Sequence, residues 1–514
     1  MLAQILSAAI LGIDAYIVKV EAHLEGGPPY FATVGLPDGA VRESRERVQS
    51  AVKNSGFEFP IKRIIINLAP ADVKKEGAAF DLPIALGILA AAGILRREPL
   101  KDYLILGELS LDGSLRPIHG ALPIAVSVVQ HQLRGIVLPR ENAREAAMAR
   151  DLEIIPVHTL KETVQFFNRQ LAVEPFRMDI DSVFAGRQDY GPDFQDVKGQ
   201  GHVKRALEVA AAGGHNIIMI GPPGSGKTML AKRLPSILPD LSLEEALETT
   251  KIHSVAGLLP PDEALITTRP FRAPHHTISD AGLIGGGSVP KPGEVSLAHH
   301  GVLFLDELPE FRKNVLEVMR QPLEDGKVSI SRALVSLSYP AEFMLAAAMN
   351  PCPCGFYSDP NHVCGCSGQQ IKNYLGRISG PLLDRIDIHI EVPAVKYREL
   401  TGSNTGERSL EIRKRVERAR EIQIRRFRQH PRLFCNARMD SRELHQFCPI
   451  DAAGENLLKT AIHKLGLSAR AYDRILKVSR TIADLAASET IRPEHLSEAI
   501  QYRSLDRLHA WGGG

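Results

Sequence analysis

The sequence predicts an α/β protein of several domains, with a parallel sheet around a nucleotide site and α-helices towards the C-terminus. Three observations lead to this prediction. The chain has 514 residues, more than a single hydrophobic core normally supports. Strand-like and helix-like segments alternate over its first 170 residues. Near residue 220 an apolar strand runs directly into a glycine-rich loop and a helix, an arrangement typical of phosphate binding.

The first predicted domain covers residues 1–170. Its strands are apolar or alternating, as in "AYIVKVEAHL" and "KRIIINLAP", and the run "DLPIALGILAAAG" predicts a buried helix. Residues 171–192 lack sustained periodicity and contain proline, glycine and aspartate, so we expect a linker there. An ATPase core is predicted over 193–394 and a helical domain over 395–514.

Composition narrows the setting in which the protein works. The net charge is only +2, so no global field points to a nucleic acid or a membrane. The first residues show no positively charged leader, and the longest apolar run is too short to cross a bilayer. We therefore expect a cytoplasmic protein without a membrane partner. In that compartment, clustered cysteines bind metal more often than they form disulfides.

The strongest motif is a P-loop in "HNIIMIGPPGSGKTMLAKRL". Glycines let backbone N–H groups close around phosphate, Lys227 adds a cation at the outer phosphates, and Thr228 offers a hydroxyl to Mg²⁺. The motif therefore predicts ATP as a ligand. The predicted nucleotide-binding residues of this loop are Gly221, Pro222, Pro223, Gly224, Ser225, Gly226, Lys227 and Thr228.

A second motif, "GVLFLDEL", is an apolar strand that ends in two carboxylates. An acidic pair at a strand end is usually only solvated, but together with a P-loop it indicates a Walker B motif. Asp306 would then hold Mg²⁺ with Thr228, and Glu307 would activate the attacking water. The two motifs together predict Mg²⁺-dependent ATP hydrolysis.

Four of the six cysteines lie in one short stretch, "PCPCGFYSDPNHVCGC", over residues 351–366. Four thiolates are the number that a closed tetrahedral Zn²⁺ site requires, so we predict structural zinc. Reduced thiols without a metal are the alternative, since free buried cysteines are common. The predicted zinc ligands are Cys352, Cys354, Cys364 and Cys366.

Two pairs of adjacent histidines, in "PHHT" and "AHHG", invite a metal interpretation. Neighbouring residues of a strand point in different directions and cannot easily share one ion. A structural or pore-lining role is therefore favoured for His275, His276, His299 and His300.

The order of these parts resembles the AAA+ superfamily. The segment "DFQDVKGQGHVKRAL", which contains Val197 and Gln200, resembles the region that cradles adenine in that superfamily. Asn350, at the end of the apolar strand "FMLAAAMN", matches the sensor-one position. The resemblance implies that all three residues serve the nucleotide site.

Two further segments resemble the magnesium-chelatase and replicative-helicase branch of AAA+ proteins. "GPLLDRIDIHIEVP" resembles the arginine-finger segment, which makes Arg385 the candidate finger, with Arg377 as its competitor. Arg470 stands where sensor-two arginines begin a lid helix. A finger acts on a neighbouring subunit, so the resemblance implies a homo-oligomeric ring, most simply a hexamer.

The stretch from Arg269 to Phe311 is similar to the signature of the bacterial ComM/YifB family, and the similarity extends over essentially the whole chain. This resemblance implies a DNA helicase that promotes branch migration when incoming DNA recombines during natural transformation. It also implies single-stranded and branched DNA as partners.

A hairpin is predicted in "LEDGKVSISRA", with its turn at Asp325-Gly326. Helicases of the same branch place such hairpins in a central pore, so Lys327 and Arg332 are candidate DNA contacts. A solvent-facing hairpin with incidental charge is an equal alternative.

The first domain resembles the proteolytic domain of Lon-type proteases, a fold related to ribosomal S5 domain 2. The resemblance rests on "LAPADVKKEGAAFDLPIALGILAA" and "GELSLDGSLRPIHGALPIAV". Ala79 stands at the serine position and Leu122 near the lysine position. Without a hydroxyl or an amine there, a Ser-Lys mechanism cannot operate. We expect a Lon-like fold without proteolysis.

A basic stretch, "ERSLEIRKRVERAREIQIRRFRQHPR", could line a DNA path or be a solvated or ion-paired helix. Other functions also stay open. A chelatase motor would insert Mg²⁺ into a porphyrin, but such subunits lack a Lon-like domain. A protein-remodelling chaperone would use aromatic pore loops, and no convincing motif of that kind lies between the Walker elements. A nucleotide-gated DNA scaffold would not need the group that Glu307 supplies.

Overall fold

The structure, a computed structural model, divides the chain into two units. It describes residues 1–185, 190–260, 263–287, 290–331, 336–357, 359, 362–394, 406–430, 433–465 and 467–503. The first unit comprises Met1–Arg187 and Leu243–Thr267. The second comprises Gln188–Ser242 and Thr268–Gly514.

The first unit is built on a mixed seven-stranded sheet. Two more strands, β6 and β7, form a separate small pair. In chain order the nine strands are β1 Leu2–Leu11, β2 Asp14–Glu25, β3 Tyr30–Val34, β4 Arg63–Ala69, β5 Tyr103–Ile105, β6 Glu108–Leu109, β7 Leu115–Arg116, β8 Gly135–Pro139 and β9 Glu153–Val157. The order in the large sheet is β3-β4-β2-β1-β5-β8-β9, with β1 and β2 antiparallel and β5, β8 and β9 parallel.

Helices cover this sheet. They are α1 Gly39–Asn54, α2 Asp81–Ala91, α3 Ala121–Gln130, α4 Ala143–Ala146, α5 Leu160–Phe167 and α6 Ile180–Ala185. Every residue of α2 is buried, which explains why the segment is apolar all round after Asp81, whose carboxylate pairs with Arg47 over 2.7 Å. The short helix α6 lies in the predicted linker, where Asp179 accepts hydrogen bonds from the amides of Asp181 and Ser182.

The second unit contains a parallel five-stranded sheet in the order β11-β14-β17-β10-β18. Two antiparallel pairs, β12–β13 and β15–β16, lie outside this sheet. In chain order the strands are β10 Ile217–Ile220, β11 Phe271–Arg272, β12 Gly285–Gly286, β13 Lys291–Pro292, β14 Val302–Leu305, β15 Lys327–Ser331, β16 Ser336–Pro340, β17 Met344–Met349 and β18 Ile388–Glu391. The strands β10, β14 and β17 are buried throughout, because helices cover both faces of a parallel sheet.

The remaining helices follow in chain order. They are α7 Gly201–Gly213, α8 Lys227–Ala231, α9 Leu243–Ala256, α10 Asp280–Ile284, α11 Glu294–Leu297, α12 Lys313–Val318, α13 Arg320–Asp325, α14 Gly368–Leu375, α15 Gly380–Leu383, α16 Ser409–Arg426, α17 Ser441–Phe447, α18 Ala452–Leu465, α19 Ala469–Leu485 and α20 Pro493–Gln501. The predicted α/β fold with C-terminal helices is thereby confirmed. Among the described residues, no helix combines the length and apolarity needed to cross a membrane.

Helix α9 belongs to the first unit, although the sequence prediction assigned its residues to the ATPase core. It packs on α3, and the Ser254 hydroxyl donates to the buried carboxylate of Glu145, which also accepts from the amide of Leu122. This segment therefore leaves the second unit between the P-loop and β14 and supplies part of the packing of the first.

The predicted hairpin exists, but its predicted turn is wrong. Asp325 ends α13, and Gly326, with φ 64°, adopts the left-handed conformation that closes a helix. The hairpin begins at Lys327, where β15 pairs with β16 in antiparallel register from Lys327–Pro340 to Ser331–Ser336. An Asp-Gly pair is typical of both a hairpin turn and a helix end, and here tertiary context selects the helix end.

Candidate nucleotide site

Three neighbouring strands bring the sequence-predicted catalytic groups to one edge of the sheet. β17 lies between β14 and β10, and all three strands are parallel. Their carboxyl ends lead into Asp306, Asn350 and the P-loop at Gly221. Ligands of open α/β sheets bind outside the carboxyl ends of the strands. The structure thus collects residues that lie far apart in the chain.

Thr228 and Asp306 meet directly. The Thr228 hydroxyl donates to Asp306 Oδ2 over 2.7 Å, and Asp306 Oδ1 accepts from the amide of Glu307 over 3.0 Å. A hydroxyl and a carboxylate are hard oxygen donors, so these two residues fit Mg²⁺. Bound with a nucleotide, the ion would supply positive charge against the phosphate oxygens.

Lys227 is buried within the P-loop. Its ammonium donates to the carbonyls of Gly221 over 2.7 Å and Pro222 over 2.9 Å, and it also donates to Asn350 Oδ1 over 3.3 Å. Burial lowers the pKa of Lys227, while Asp306 and Glu307 act in the opposite direction. The cation therefore lies between the loop and the sensor-one position, where it can meet a phosphate.

The loop conformation depends on glycine. Gly224 and Gly226 have φ values of 74° and 89°, which side chains rarely adopt. Gln200, in the segment that resembles an adenine cradle, donates from Nε2 to the carbonyl of Ser225 over 2.8 Å. Val197 is fully buried three residues earlier. Gln200 therefore contacts the loop through its side chain.

Both candidate finger arginines form ion pairs within the same chain. Arg385 pairs with Glu324 and is mostly buried, whereas the half-exposed Arg377 pairs with Glu310 over 2.8 Å. The guanidinium of Arg470 is 2.9 Å from the carboxylate of Asp384, the residue before Arg385. The structure therefore brings Arg470 to the segment that carries Arg385.

A buried network that the sequence prediction missed lies behind this segment. Asp387 Oδ2 is 3.0 Å from His215 Nδ1, and Asp387 Oδ1 is 3.0 Å from Arg474. His215 Nε2 lies 2.8 Å from the hydroxyl of Thr481 on α19. Burial alone would raise the pKa of Asp387, but Arg474 and the His215 hydrogen bond reverse the effect and lower it.

These four residues join the residues just before the P-loop strand β10, the segment that follows the candidate finger Arg385, and helix α19. The sequence signal for them is weak, because each residue is a single polar position beside an apolar stretch. Fully buried charges are rare unless they are paired, so the network is a structural joint between the sheet and helix α19.

The four clustered cysteines converge. The Sγ atoms of Cys352, Cys354 and Cys364 are 3.3–3.7 Å apart, and all four sulfurs, including that of Cys366, lie within 4.8 Å of one another. Sulfurs around a tetrahedral Zn²⁺ would be roughly 3.8 Å apart, so the donor set fits this ion. The amide of Phe356 and the Cys352 thiol lower the pKa of Cys354 to about 6.

The described residues from Cys352 to Cys366, here called the cysteine knuckle, touch the P-loop at Gly355. Gly355 has φ 86°, and a Cβ placed on it would lie only 2.5 Å from Cδ of Pro223. A glycine is therefore required at this position both for the backbone turn and for the close approach. The knuckle supports the loop from outside.

Lys327 begins β15 and is exposed, while Val328 and Ile330 are buried on the other face. The Tyr339 hydroxyl of β16 donates to the carbonyl of Pro290 over 2.7 Å, which joins this hairpin to the β12–β13 hairpin. The other predicted DNA contact, Arg332, lies outside the described residues.

The basic stretch forms α16, and several of its arginines point into the unit. Arg413 is buried and pairs with Asp240 over 2.9 Å, Arg415 pairs with Glu208, and Arg426 pairs with Asp484. These contacts favour the ion-paired interpretation of this helix over a DNA-lining one.

The histidine pairs have separate surroundings. His299 is buried, and its Nδ1 accepts from the amide of Glu342 over 3.0 Å. The rings of His275 and His276 lie 4.1 Å apart, and His276 reaches Glu307.

In the first unit, the two positions that match the Lon dyad hold no reactive group. Ala79 accepts a backbone hydrogen bond from Gly107, and Leu122 is fully buried at the start of α3.

The fold and the site define a magnesium-chelatase-like AAA+ protein, and comparison with known proteins agrees. Family models match in three places: "Magnesium chelatase, subunit ChlI" over residues 193–400, "Subunit ChlI of Mg-chelatase" over 20–142, and "Magnesium chelatase, subunit ChlI C-terminal" over 406–503. Such proteins use ATP with Mg²⁺.

Full-length relatives give the narrower family. The chain is 46% identical to the "Competence protein ComM" of Haemophilus influenzae, over 99% of this chain and 98% of that protein. It is 44% identical to the "Uncharacterized protein YifB" of Escherichia coli, over 97% and 96%. "Lon protease 2" of Bacillus subtilis is 34% identical over 28% of this chain and 27% of that protein. The chain belongs to the ComM/YifB family.

Proposed function

We propose that this protein is an ATP-driven ring motor that moves branched DNA. The observation that carries the proposal is the convergence of Thr228 with Asp306 and of Lys227 with Asn350 at one sheet edge. These contacts support a site that binds MgATP and hydrolyses it. Glu307, which follows Asp306, supplies the carboxylate that hydrolysis requires.

Each residue has a distinct role in the proposed reaction. Lys227 binds the outer phosphates, and Asn350 orients the water or the terminal phosphate beside it. Glu307 accepts a proton from the attacking water as the new bond to phosphorus forms. Thr228 and Asp306 hold Mg²⁺ in place.

The proposal includes a homo-oligomer, most simply a hexamer. Arg385 would stabilise the terminal phosphate of a neighbouring subunit, with Arg377 as the alternative, and Arg470 would complete the same site. The contact of Arg470 with Asp384, the residue before Arg385, supports joint action. In an assembled ring, the partners that hold Arg385 and Arg470 within one chain would be exchanged for phosphate.

DNA is the proposed substrate because a relative that matches over its full length is named a competence protein. The inferred activity is branch migration in the cytoplasm during recombination of DNA taken up in natural transformation. The exposed Lys327 on β15 supports contact with phosphate. Arg332, outside the described residues, is proposed from the sequence as a second DNA contact. The four cysteines are proposed to hold Zn²⁺, which would stiffen the knuckle beside the P-loop.

The test is steady-state ATP hydrolysis by the purified chain with and without single-stranded DNA, together with Glu307→Gln. Strong stimulation by DNA that the substitution abolishes supports the motor. Branch migration on three- and four-stranded junctions then tests its product. Hydrolysis that is indifferent to DNA, with no DNA binding in the ATP state, contradicts the proposal.

The DNA contact has its own matched pair of variants. Lys327→Ala should weaken DNA binding at all sequences and reduce the slope of log affinity against log salt by about 1. Lys313→Ala removes another exposed lysine of the same unit and should leave that slope unchanged. Equal slopes for both variants would remove Lys327 from the DNA path.

A chelatase motor is the second candidate, because all three family models carry a magnesium-chelatase description. That function predicts binding to chelatase partner subunits and hydrolysis without DNA stimulation. The same hydrolysis assay therefore separates the two functions.

A further inference from the structure

Two polar residues, His215 and Asn216, stand directly before the P-loop strand β10. His215 belongs to the buried network around Asp387, whereas Asn216 is half-buried and makes contacts of its own. β10 lies between β17 and β18 in the sheet. A side chain at the amino end of β10 can therefore reach both neighbouring strands and the segments that lead into them.

The side-chain amide of Asn216 bridges these two neighbours. Its Oδ1 accepts from the backbone amide of Leu345 on β17 over 2.9 Å. Its Nδ2 donates to the carbonyl of Arg385, shortly before β18, over 3.0 Å. A backbone amide can only donate and a carbonyl can only accept, so the two partners determine which way the side chain is turned. One side chain thereby ties the main chain of the candidate finger to the sheet.

The main chain of Asn216 holds the residues that follow Arg385. Its carbonyl accepts from the amides of Asp387 and Ile388, each over 3.0 Å, where the pairing of β10 with β18 begins. These main-chain bonds do not depend on the side chain at position 216. The side chain adds a bond to the carbonyl of Arg385 itself. Its removal should therefore displace Arg385 and leave the start of β18 in place.

The guanidinium of Arg385 extends from this anchored backbone. Nη1 donates to the carbonyl of Pro381 and Nη2 pairs with Glu324, while the buried Nε meets no acceptor among the described residues. A catalytic group that is misplaced by about 1 Å loses about 10²-fold in rate. The position of the Arg385 main chain therefore matters for a finger that must reach a phosphate.

We propose that Asn216 is a positioning residue for the arginine finger: it holds the main chain of Arg385 where the guanidinium can reach the terminal phosphate bound by a neighbouring subunit. This inference rests on the proposed ring and on Arg385 as its finger. The P-loop follows the carboxyl end of β10 and Asn216 precedes its amino end. One short strand thus connects a subunit's own phosphate loop with the support of the group that it offers to the next subunit.

Two substitutions at Asn216 and one matched control test this role. Asn216→Asp keeps an oxygen for the amide of Leu345 and removes the donor to Arg385, whereas Asn216→Ala removes both contacts. Gln423→Ala is the control, because the buried Gln423 side chain also bridges two main-chain groups, over 3.0 Å and 2.9 Å, neither of which belongs to the finger segment. ATP hydrolysis, binding of an ATP analogue and thermal unfolding are measured for each variant.

Asn216→Asp should lower kcat by about 10- to 100-fold, as expected for a misplaced catalytic group. Its affinity for the ATP analogue should stay within about twofold of the wild-type value, because the P-loop of the same subunit is intact. Asn216→Ala should lower kcat at least as much. Gln423→Ala should unfold at a lower temperature but hydrolyse ATP at the wild-type rate.

Mixed rings show whether the defect acts on the neighbouring subunit. Lys227→Ala subunits lack their own phosphate-binding cation but keep an intact finger. In an equal mixture, about half of the Asn216→Asp subunits receive a finger from a Lys227→Ala neighbour, so the rate per Asn216→Asp subunit should rise by about fivefold or more. Arg385→Ala mixed with Lys227→Ala in the same way is the reference for a defective finger.

An unchanged kcat in Asn216→Asp overturns the inference, and so does a mixture that gains nothing while the Arg385→Ala mixture does gain. If neither mixture gains, the proposed finger fails and the role of Asn216 fails with it. The DNA part of the proposed function fails separately: the mixtures are measured without DNA, so hydrolysis that is indifferent to DNA contradicts the DNA motor and leaves the test of Asn216 intact.

Discussion

The buried network around Asp387 yields a quantitative prediction of stability. Asp387 is 2% exposed and approaches His215, which has no exposed surface, and Arg474, which is 25% exposed. Asp387→Ala would leave the His215 N–H buried without its acceptor, at about 1–3 kcal/mol. Loss of the ion pair with the partly exposed Arg474 costs at most about 1 kcal/mol more. The expected loss of unfolding free energy is therefore about 1–4 kcal/mol.

A neighbouring pair provides the control. Asp384 pairs with Arg470 over the similar distance of 2.9 Å, but the two side chains are 31% and 66% exposed. Asp384→Ala should therefore cost less than about 1 kcal/mol. Urea unfolding followed by circular dichroism measures both variants, and an unchanged m-value shows that only stability has changed. Equal losses in the two variants would refute the argument that burial decides the energy.

The same network predicts a pH dependence. Arg474 and His215 lower the pKa of Asp387 in the folded state. A carboxyl whose folded pKa is lowered contributes stability above its unfolded pKa of about 3.9 and loses that contribution as the pH falls further. The stability difference between wild type and Asp387→Ala should thus be constant near neutral pH and shrink below about pH 4. A difference that grows on acidification would contradict this sign.

Three further predictions concern the nucleotide site and the cysteine knuckle. Gly355→Ala should strain the turn by about 1 kcal/mol or more and weaken the binding of an ATP analogue in a fluorescence titration. Gly365→Ala places its methyl group in open space and should leave that affinity unchanged. Equal affinities of the two variants would show that the knuckle does not support the P-loop. Elemental analysis should find one zinc per chain, lost in Cys352→Ser, and a metal-free wild type would refute the zinc site. Arg385→Ala should lower the hydrolysis rate by about 10³-fold while Arg377→Ala has a smaller effect, and the reverse order would make Arg377 the finger.

Motifs that depend on local chemistry could be predicted from the sequence. The P-loop needs glycines at fixed spacing after a strand, and the four cysteines need only a short loop to meet, so neighbouring residues carry each signal. The buried helix α2 was likewise visible as an apolar run. The prediction for Asp325-Gly326 was wrong because the same two residues end a helix or turn a hairpin, depending on what packs around them.

Contacts between distant segments could not be predicted in this way. His215 and Asp387 are 172 residues apart. Nothing in the segment around either residue indicates that the other is its partner. The placement of α9 with the first unit depends on packing against α3 and Glu145, since the helix has no distinctive pattern of its own. The contact of His276 with Glu307 exists only because β11 and β14 are neighbours in the sheet.

The sequence by itself determined the family, the α/β class and the motifs whose chemistry fits MgATP, because backbone conformation and residue chemistry within a short window specify them. Tertiary structure alone decided which carboxylate faces the P-loop, which arginines are held in ion pairs, and which histidine touches Glu307. Those outcomes depend on strand order and on burial, which determine the partners of each polar group and the energy of each contact.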